Sequence, residues 1–257
     1  LKSIVPKDFE YTTYKDSKSD TLHYWFKPFV ENDSLVFTAT NKTYLDTLVT
    51  RMRDLYADTL LIKPINAGVL TPMDTLKFTS TTPLNLFDSE KVTVINQDSV
   101  AVPFKGVIDH RFNTAVLKFD IKITESYAIQ LLPGAFTDFF EQTNDTINVR
   151  VRTKENSDYG SLSLILKEPK IVPVIVQLVN TKFKVIQEKY FTADESILFE
   201  YINPGEYYIR IIYDENKNNL WDTGNYLKKT QPETVMYYPG KIEIRPNWSL
   251  VETFNLE

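Results

Sequence analysis

The sequence predicts an all-β protein made of tandem β-sandwiches, and three observations predict it. Apolar and polar residues alternate with a period of two along most of the chain, the pattern of half-buried strands. Strand-favouring residues are abundant, with Thr and Val plentiful and 16 Phe and 15 Tyr in 257 residues. Strand signals pause at Pro64 to Gly68 and at the polar stretch Lys154 to Gly160, which divides the chain into segments of about 1–60, 61–155 and 156–257.

The first segment reads as a small or incomplete β domain. It opens on Leu1 without an initiating Met, so the chain is expected to be the C-terminal part of a longer or processed protein. In the second, Ala115, Leu117, Phe119, Ile121 and Ile123 alternate with Lys118, Asp120 and Lys122, which predicts one strand over Ala115 to Ile123. Segments such as Thr137 to Gln142 are expected to form at most a short helical turn. In the third, the same period recurs at Leu162/Leu164/Leu166, at Val174/Val176/Leu178 against Ile175/Gln177/Val179, at Tyr207/Ile209/Ile211/Tyr213 and at Ile242/Ile244.

Composition narrows the function classes. With 34 acidic and 29 basic residues the net charge is -5, and no concentrated basic face points to nucleic acid. There are no cysteines, so thiolate chemistry, thiolate zinc sites and disulfides are excluded. The two histidines, His23 and His110, belong to no spaced metal motif and are expected to be surface or strand residues. No nucleophile elbow or Gly-rich phosphate loop is present, no pair of carboxylates stands out by spacing, and the expected role is non-enzymatic. No apolar stretch approaches the ~18 residues of a membrane helix, and no signal peptide opens the chain.

The most chemically informative segment runs from Asp214 to Asn225. Oxygen-bearing side chains stand at alternate positions after an apolar strand, as in a calcium-binding loop, so Asp214, Asn216, Asn218, the Leu220 carbonyl, Asp222 and Asn225 form a candidate metal site. Asn225 occupies the place of a bidentate Glu, Asn219 that of the usual turn Gly, and only two candidates are carboxylates. Any calcium is therefore expected to bind weakly, on the order of millimolar to sub-millimolar. The other reading is an Asx-rich turn whose side chains bond their own backbone.

Two stretches carry a resemblance. Thr71-Pro72-Met73-Asp74 and Tyr127 to Asp138, followed by Asn144-Asp145, resemble the bacterial Ig-like domain over about 61–155. Asn203-Pro204-Gly205 feeding Tyr207-Tyr208-Ile209-Arg210 looks like a prealbumin-like or Cna-B-like sandwich over 156–257. With Trp221 to Leu227, Gln231-Pro232-Glu233, Tyr237-Tyr238-Pro239 and Ile244 to Trp248, the chain resembles the C-terminal portion of the Ig-like-domain outer-membrane lipoproteins of Bacteroidetes. The resemblance implies export, attachment to the outer membrane only through a lipidated Cys outside this chain, and a non-catalytic envelope role.

The expected function is accordingly a structural or interaction scaffold that partners an outer-membrane or other envelope protein. A glycan-binding surface module is the alternative, with Trp221, Tyr226, Tyr237, Tyr238 and Trp248 as candidate rings. Trp248, beside the Ile242/Ile244 strand, is expected in the core. Asp-Thr/Ser-aliphatic triplets begin at Asp20, Asp33, Asp46, Asp58, Asp74, Asp98 and Asp145. They are similar to O-glycosylation acceptors of exported Bacteroidetes proteins, or else each is a turn, a strand start and a core residue.

Overall fold

A computed structural model describes residues 8–16, 19, 21–28, 34–41, 44–51, 59–167, 173–192 and 196–256. The protein is all-β: among the described residues there are two short 3-10 helices, Ser89–Lys91 and Asn156–Asp158, and no α-helix. The chain clusters into two compact units, residues 1–70, 74–120 and 125–152 in one and 71–73, 121–124 and 153–257 in the other.

In the first unit, β1 (Glu10–Lys15) pairs antiparallel with β2 (Leu22–Lys27), and β3 (Ser34–Asn41) with β4 (Tyr44–Arg51). His23 lies on β2 with its ring stacked on Tyr14 at 4.7 Å, and His110 is exposed. There follow β5 (Ile62–Pro64), β6 (Gly68–Val69), β7 (Leu76–Ser80), β8 (Leu84–Phe87), β9 (Val92–Asn96), β10 (Phe104–Asp109), β11 (Thr114–Phe119), β12 (Ser126–Leu131), β13 (Phe136–Asp138) and β14 (Ile147–Arg152). They form two four-stranded sheets, β10-β11-β7-β5 and β6-β14-β12-β9, with β13 and β8 as a separate pair. The alternating apolar residues make the core: Leu76, Phe78, Leu117, Ile129, Leu131 and Val151 are at most 2% exposed. Phe119 of one sheet meets Tyr127 of the other edge to face at 5.1 Å.

Two local expectations change here. The strand from Ala115 ends at Phe119 and not at Ile123, because the chain turns at Ile123 and Thr124, with Thr124 left-handed at φ 57. Ile121 is nevertheless buried, so its apolar side chain reports burial without strand pairing. At Thr137 to Gln142 there is no helical turn: Phe136–Asp138 pairs with β8, and the chain then turns through Glu141 at φ 68. The buried Asp138 Oδ1 accepts the N–H groups of Phe140 at 2.9 Å and Gln142 at 2.8 Å. Asn144 Oδ1 accepts the Phe136 N–H at 2.6 Å, while its amide donates to the Leu132 and Asp145 carbonyls. These two side chains satisfy backbone groups that the corner would otherwise strand, which is a structural role.

The second unit holds β15 (Gly160–Lys167), β16 (Val174–Asn180), β17 (Val185–Phe191), β18 (Ile197–Ile202), β19 (Gly205–Tyr213), β20 (Val235–Tyr237), β21 (Ile242–Ile244) and β22 (Ser249–Asn255). One sheet runs β18-β15-β22 and the other β17-β16-β19-β20, with β21 also beside β19. Leu162, Leu164, Val174, Val176, Leu178, Phe199, Ile209 and Ile211, all fully buried, fill the space between them. β15 and β22 run parallel in unbroken register from Ser161–Ser249 to Lys167–Asn255. At Gly160 an added Cβ would lie 2.6 Å from the Arg245 carbonyl oxygen, so only glycine allows this start of β15 without a shift of backbone.

β16 is buried on both faces: Ile175, Gln177 and Val179 are at most 7% exposed. The amide of Gln177 survives there because both of its ends are bonded. Its Nε2 donates to Glu188 at 2.6 Å and its Oε1 accepts from Arg210 Nε at 2.6 Å, an interstrand clamp across β17, β16 and β19.

Candidate functional site

The candidate loop begins where β19 ends. Tyr213 is the last strand residue, and Asp214 after it is completely buried. A buried carboxylate must collect donors. Asp214 Oδ1 accepts the Asn218 N–H at 3.1 Å, and Oδ2 accepts the Asn219 N–H at 2.9 Å and the Tyr190 hydroxyl at 2.5 Å. Two of these donors come from the loop and one from β17, so the carboxylate fastens the loop onto the sheet.

The electrostatics follow from these bonds. Burial alone would raise the Asp214 carboxyl, but the Tyr190 hydroxyl and the N–H groups of Asn219, Asn218 and Lys217 outweigh it and hold it below its ordinary value. Tyr190 moves the other way. Burial, then its bond to Asp214, then the charges of Asp214 and Glu233 push its phenol up to about 12.

Local backbone geometry explains why Asn can stand where glycine is usual. Lys217 and Asn219 are left-handed, at φ 59 and 62, and Asn tolerates that conformation better than most side chains. The two turns aim the side chains of Asn216 and Asn218 at one place. Both amides donate to Asp222 Oδ2, Asn218 at 2.7 Å. Asn216 Oδ1 also accepts the Asn218 N–H at 3.1 Å, and Asn218 Oδ1 the Leu220 N–H at 2.8 Å. Rotation of either amide would turn its oxygen toward the place its nitrogen now faces.

Of the six residues singled out in the sequence, Asn216, Asn218 and Asp222 come together and Asp214 anchors the same segment. Leu220 joins through its N–H, its side chain half exposed. Asn225 is engaged elsewhere. It exchanges both backbone hydrogen bonds with Thr230, at 2.9 and 3.1 Å, and its Oδ1 accepts the Lys228 N–H at 3.0 Å. The carboxylate bonded to the segment is Glu233, which the sequence reading missed: its Oε1 accepts the Glu215 N–H and its Oε2 the Asp222 N–H, both at 3.0 Å. Glu233 lies eleven residues beyond Asp222, across a turn, where no spacing rule reaches. Among the described residues no group of three or more His, Cys, Asp or Glu side chains is placed to hold a metal ion.

The candidate rings divide. Trp221, Tyr226, Tyr237 and Trp248 are exposed, whereas Tyr238 packs against the core and donates to Glu252 at 2.7 Å. Trp248 is therefore not a core residue. Asn247 before it is left-handed at φ 56, the ring is 54% exposed, and the Arg245 guanidinium lies over its face at 4.9 Å. Among the Asp-Thr/Ser triplets, Thr21, Thr47, Thr59, Ser99 and Thr146 are exposed. Leu60 and Leu76 point into the core as a strand start requires, but Leu48 and Val100 do not. Asp20, Asp33 and Asp58 lie outside the described residues.

No protein-family model matches the chain, and no curated protein matches it. Among solved structures it is similar to native alpha-2-macroglobulin from Escherichia coli spanning domains MG0-NIE-MG1, at 12% identity over 70% of this chain and 71% of that one, with a TM-score of 0.36. It is similar also to BcpA, the major pilin subunit of Bacillus cereus, at 11% identity over 92% and 80% of the two chains, TM-score 0.26. The Bacillus anthracis TIE protein aligns at 11% identity over 80% of this chain and 41% of its own, TM-score 0.23. Likeness this distant carries nothing about activity or partners.

Proposed function

We propose that this chain is a non-catalytic scaffold of the cell envelope, part of a lipid-anchored outer-membrane protein whose stiff β modules hold a loop out to another envelope protein. The observation behind this reading is the 214–234 segment between β19 and β20. It is tied to the sheet by the buried Asp214 and closed on itself by Glu233, so it keeps its shape without regular secondary structure. Loops carried on a rigid sandwich are suited to recognition because little ordering entropy is lost on binding. The segments 1–60, 61–155 and 156–257 act in this reading as modules in series. Affinity purification from the native envelope is the test: a stable complex with an outer-membrane protein is expected. Recovery of the protein alone, together with specific binding on a glycan array, would favour the glycan-binding alternative, for which the exposed rings of Trp221, Tyr226 and Trp248 speak.

Calcium belongs to the same proposal as a stiffener of the loop. Its donors would be the oxygens of Asp214, Asn216, Asn218 and Asp222 and the Leu220 carbonyl, with Asn225 or Glu233 completing the set; amide and carbonyl oxygens suit this hard cation at low affinity. Calcium titration followed by thermal unfolding checks it. An ion at 100 times its dissociation constant should stabilise the folded state by about 2.7 kcal/mol, and an unmoved transition at high calcium would remove the ion from the proposal.

A further inference from the structure

The loop between β19 and β20 ends in an apolar pair that the protein leaves in solvent. Tyr226 is 95% and Leu227 81% exposed, more than any other large apolar side chain among the described residues. Their exposure is built into the backbone. Asn225 and Thr230 exchange both backbone hydrogen bonds, and the Asn225 side chain accepts the Lys228 N–H, which closes a turn with only Tyr226, Leu227, Lys228 and Lys229 between. Below this neck a second closure follows, with the Glu233 N–H donating to the Asp222 carbonyl at 3.1 Å and the Asp222 N–H to Glu233 Oε2 at 3.0 Å. A turn this short, fixed at two levels, has no slack to fold its apolar pair back onto a core.

Acids outnumber bases at the base of the loop, where Asp214, Asp222 and Glu233 accept hydrogen bonds beside Glu215 and Lys217, whereas the apex carries Lys228 and Lys229, both exposed, and no acid. On a protein whose net charge is -5, the apolar apex is thus locally cationic. We propose that the Tyr226 to Lys229 turn is a membrane-contacting apex that docks on phospholipid bilayers bearing anionic headgroups. Leu227 would enter the acyl boundary, the Tyr226 ring would rest at headgroup level, and the two ammonium groups would pair with phosphates. Lysine is depleted from protein–protein interfaces, so an apolar pair flanked by two of them matches lipid better than a protein pocket, and the protein contact of the scaffold reading then falls on the rest of the 214–234 segment. This contact is additional to any lipid anchor and does not depend on the scaffold reading or on calcium.

Co-sedimentation with vesicles in EDTA tests it, using phosphatidylcholine with and without phosphatidylglycerol at low and high salt. The chain should sediment with the anionic vesicles and less so at high salt. K228E/K229E should weaken partition by at least about 25-fold, from roughly fivefold per lysine lost, and Y226S/L227S should abolish it. All four side chains are exposed, so both variants should keep the parent's unfolding midpoint, which separates lost contact from lost fold. No sedimentation above that with phosphatidylcholine alone, or sedimentation untouched by both variants, would overturn the proposal. Because the vesicles contain no protein, either result is independent of whether an envelope partner is recovered.

Discussion

Asp214→Ala is expected to destabilise the C-terminal unit by about 3 kcal/mol, because it leaves the Tyr190 hydroxyl and the N–H groups of Asn218 and Asn219 without their acceptor. Urea unfolding measures it as a lower midpoint at unchanged slope. Tyr190→Phe should cost less, since it removes a single donor, and the double variant should be no worse than Asp214→Ala by more than a few tenths. A loss below 0.5 kcal/mol would mean that the loop does not depend on this carboxylate. The pH dependence has a definite sign. The folded carboxyl is held below its unfolded value, so its contribution is present above about pH 4 and disappears as pH falls through the folded value. Tyr190 acts at the other end: its phenol is raised to about 12, so its contribution is present below about pH 10 and disappears as pH rises through 12. Removing Asp214 should flatten the acid limb.

Phe199→Ala should be costlier, about 3–5 kcal/mol. The ring is fully buried on β18 among Leu162, Leu164, Val176 and Ile209, and a core of alternating strand residues cannot collapse to fill its volume without moving a sheet. Against a typical total of about 5–15 kcal/mol, the unit would sit near its unfolding threshold. Leu198, the residue just before it and 46% exposed, is the control, and its replacement by alanine should stay within about 0.5 kcal/mol. Equal effects at the two positions would show that the side-chain period had been assigned to the wrong face.

That period is why most of the fold was legible. Leu162, Leu164 and Leu166 repeat every second residue, and so do Tyr207, Ile209 and Ile211; all are buried as the alternation requires. Where burial is two-sided the code fails. Alternation leaves undecided whether the face of Ile175, Gln177 and Val179 is covered; Gln177 is buried there, because Glu188 and Arg210, eleven and 33 residues away, reach its amide. Trp248 fails for the opposite reason, since hydrophobicity says nothing of a guanidinium waiting to cover the ring. In the loop, the spacing of Asp214, Asn216, Asn218 and Asp222 shows in the sequence because the turns are local. Glu233 does not show, because a hairpin-like neck brings it back.

The parallel pairing of β15 with β22 has a mechanical consequence. A pull applied between residues 160 and 255 drags the two strands lengthwise past each other, so the whole ladder from Ser161–Ser249 to Lys167–Asn255 bears the load at once instead of opening one rung at a time. Pulled in this direction, the unit is expected to yield abruptly and not by gradual unzipping, which single-molecule stretching between those residues would read as one sharp rupture.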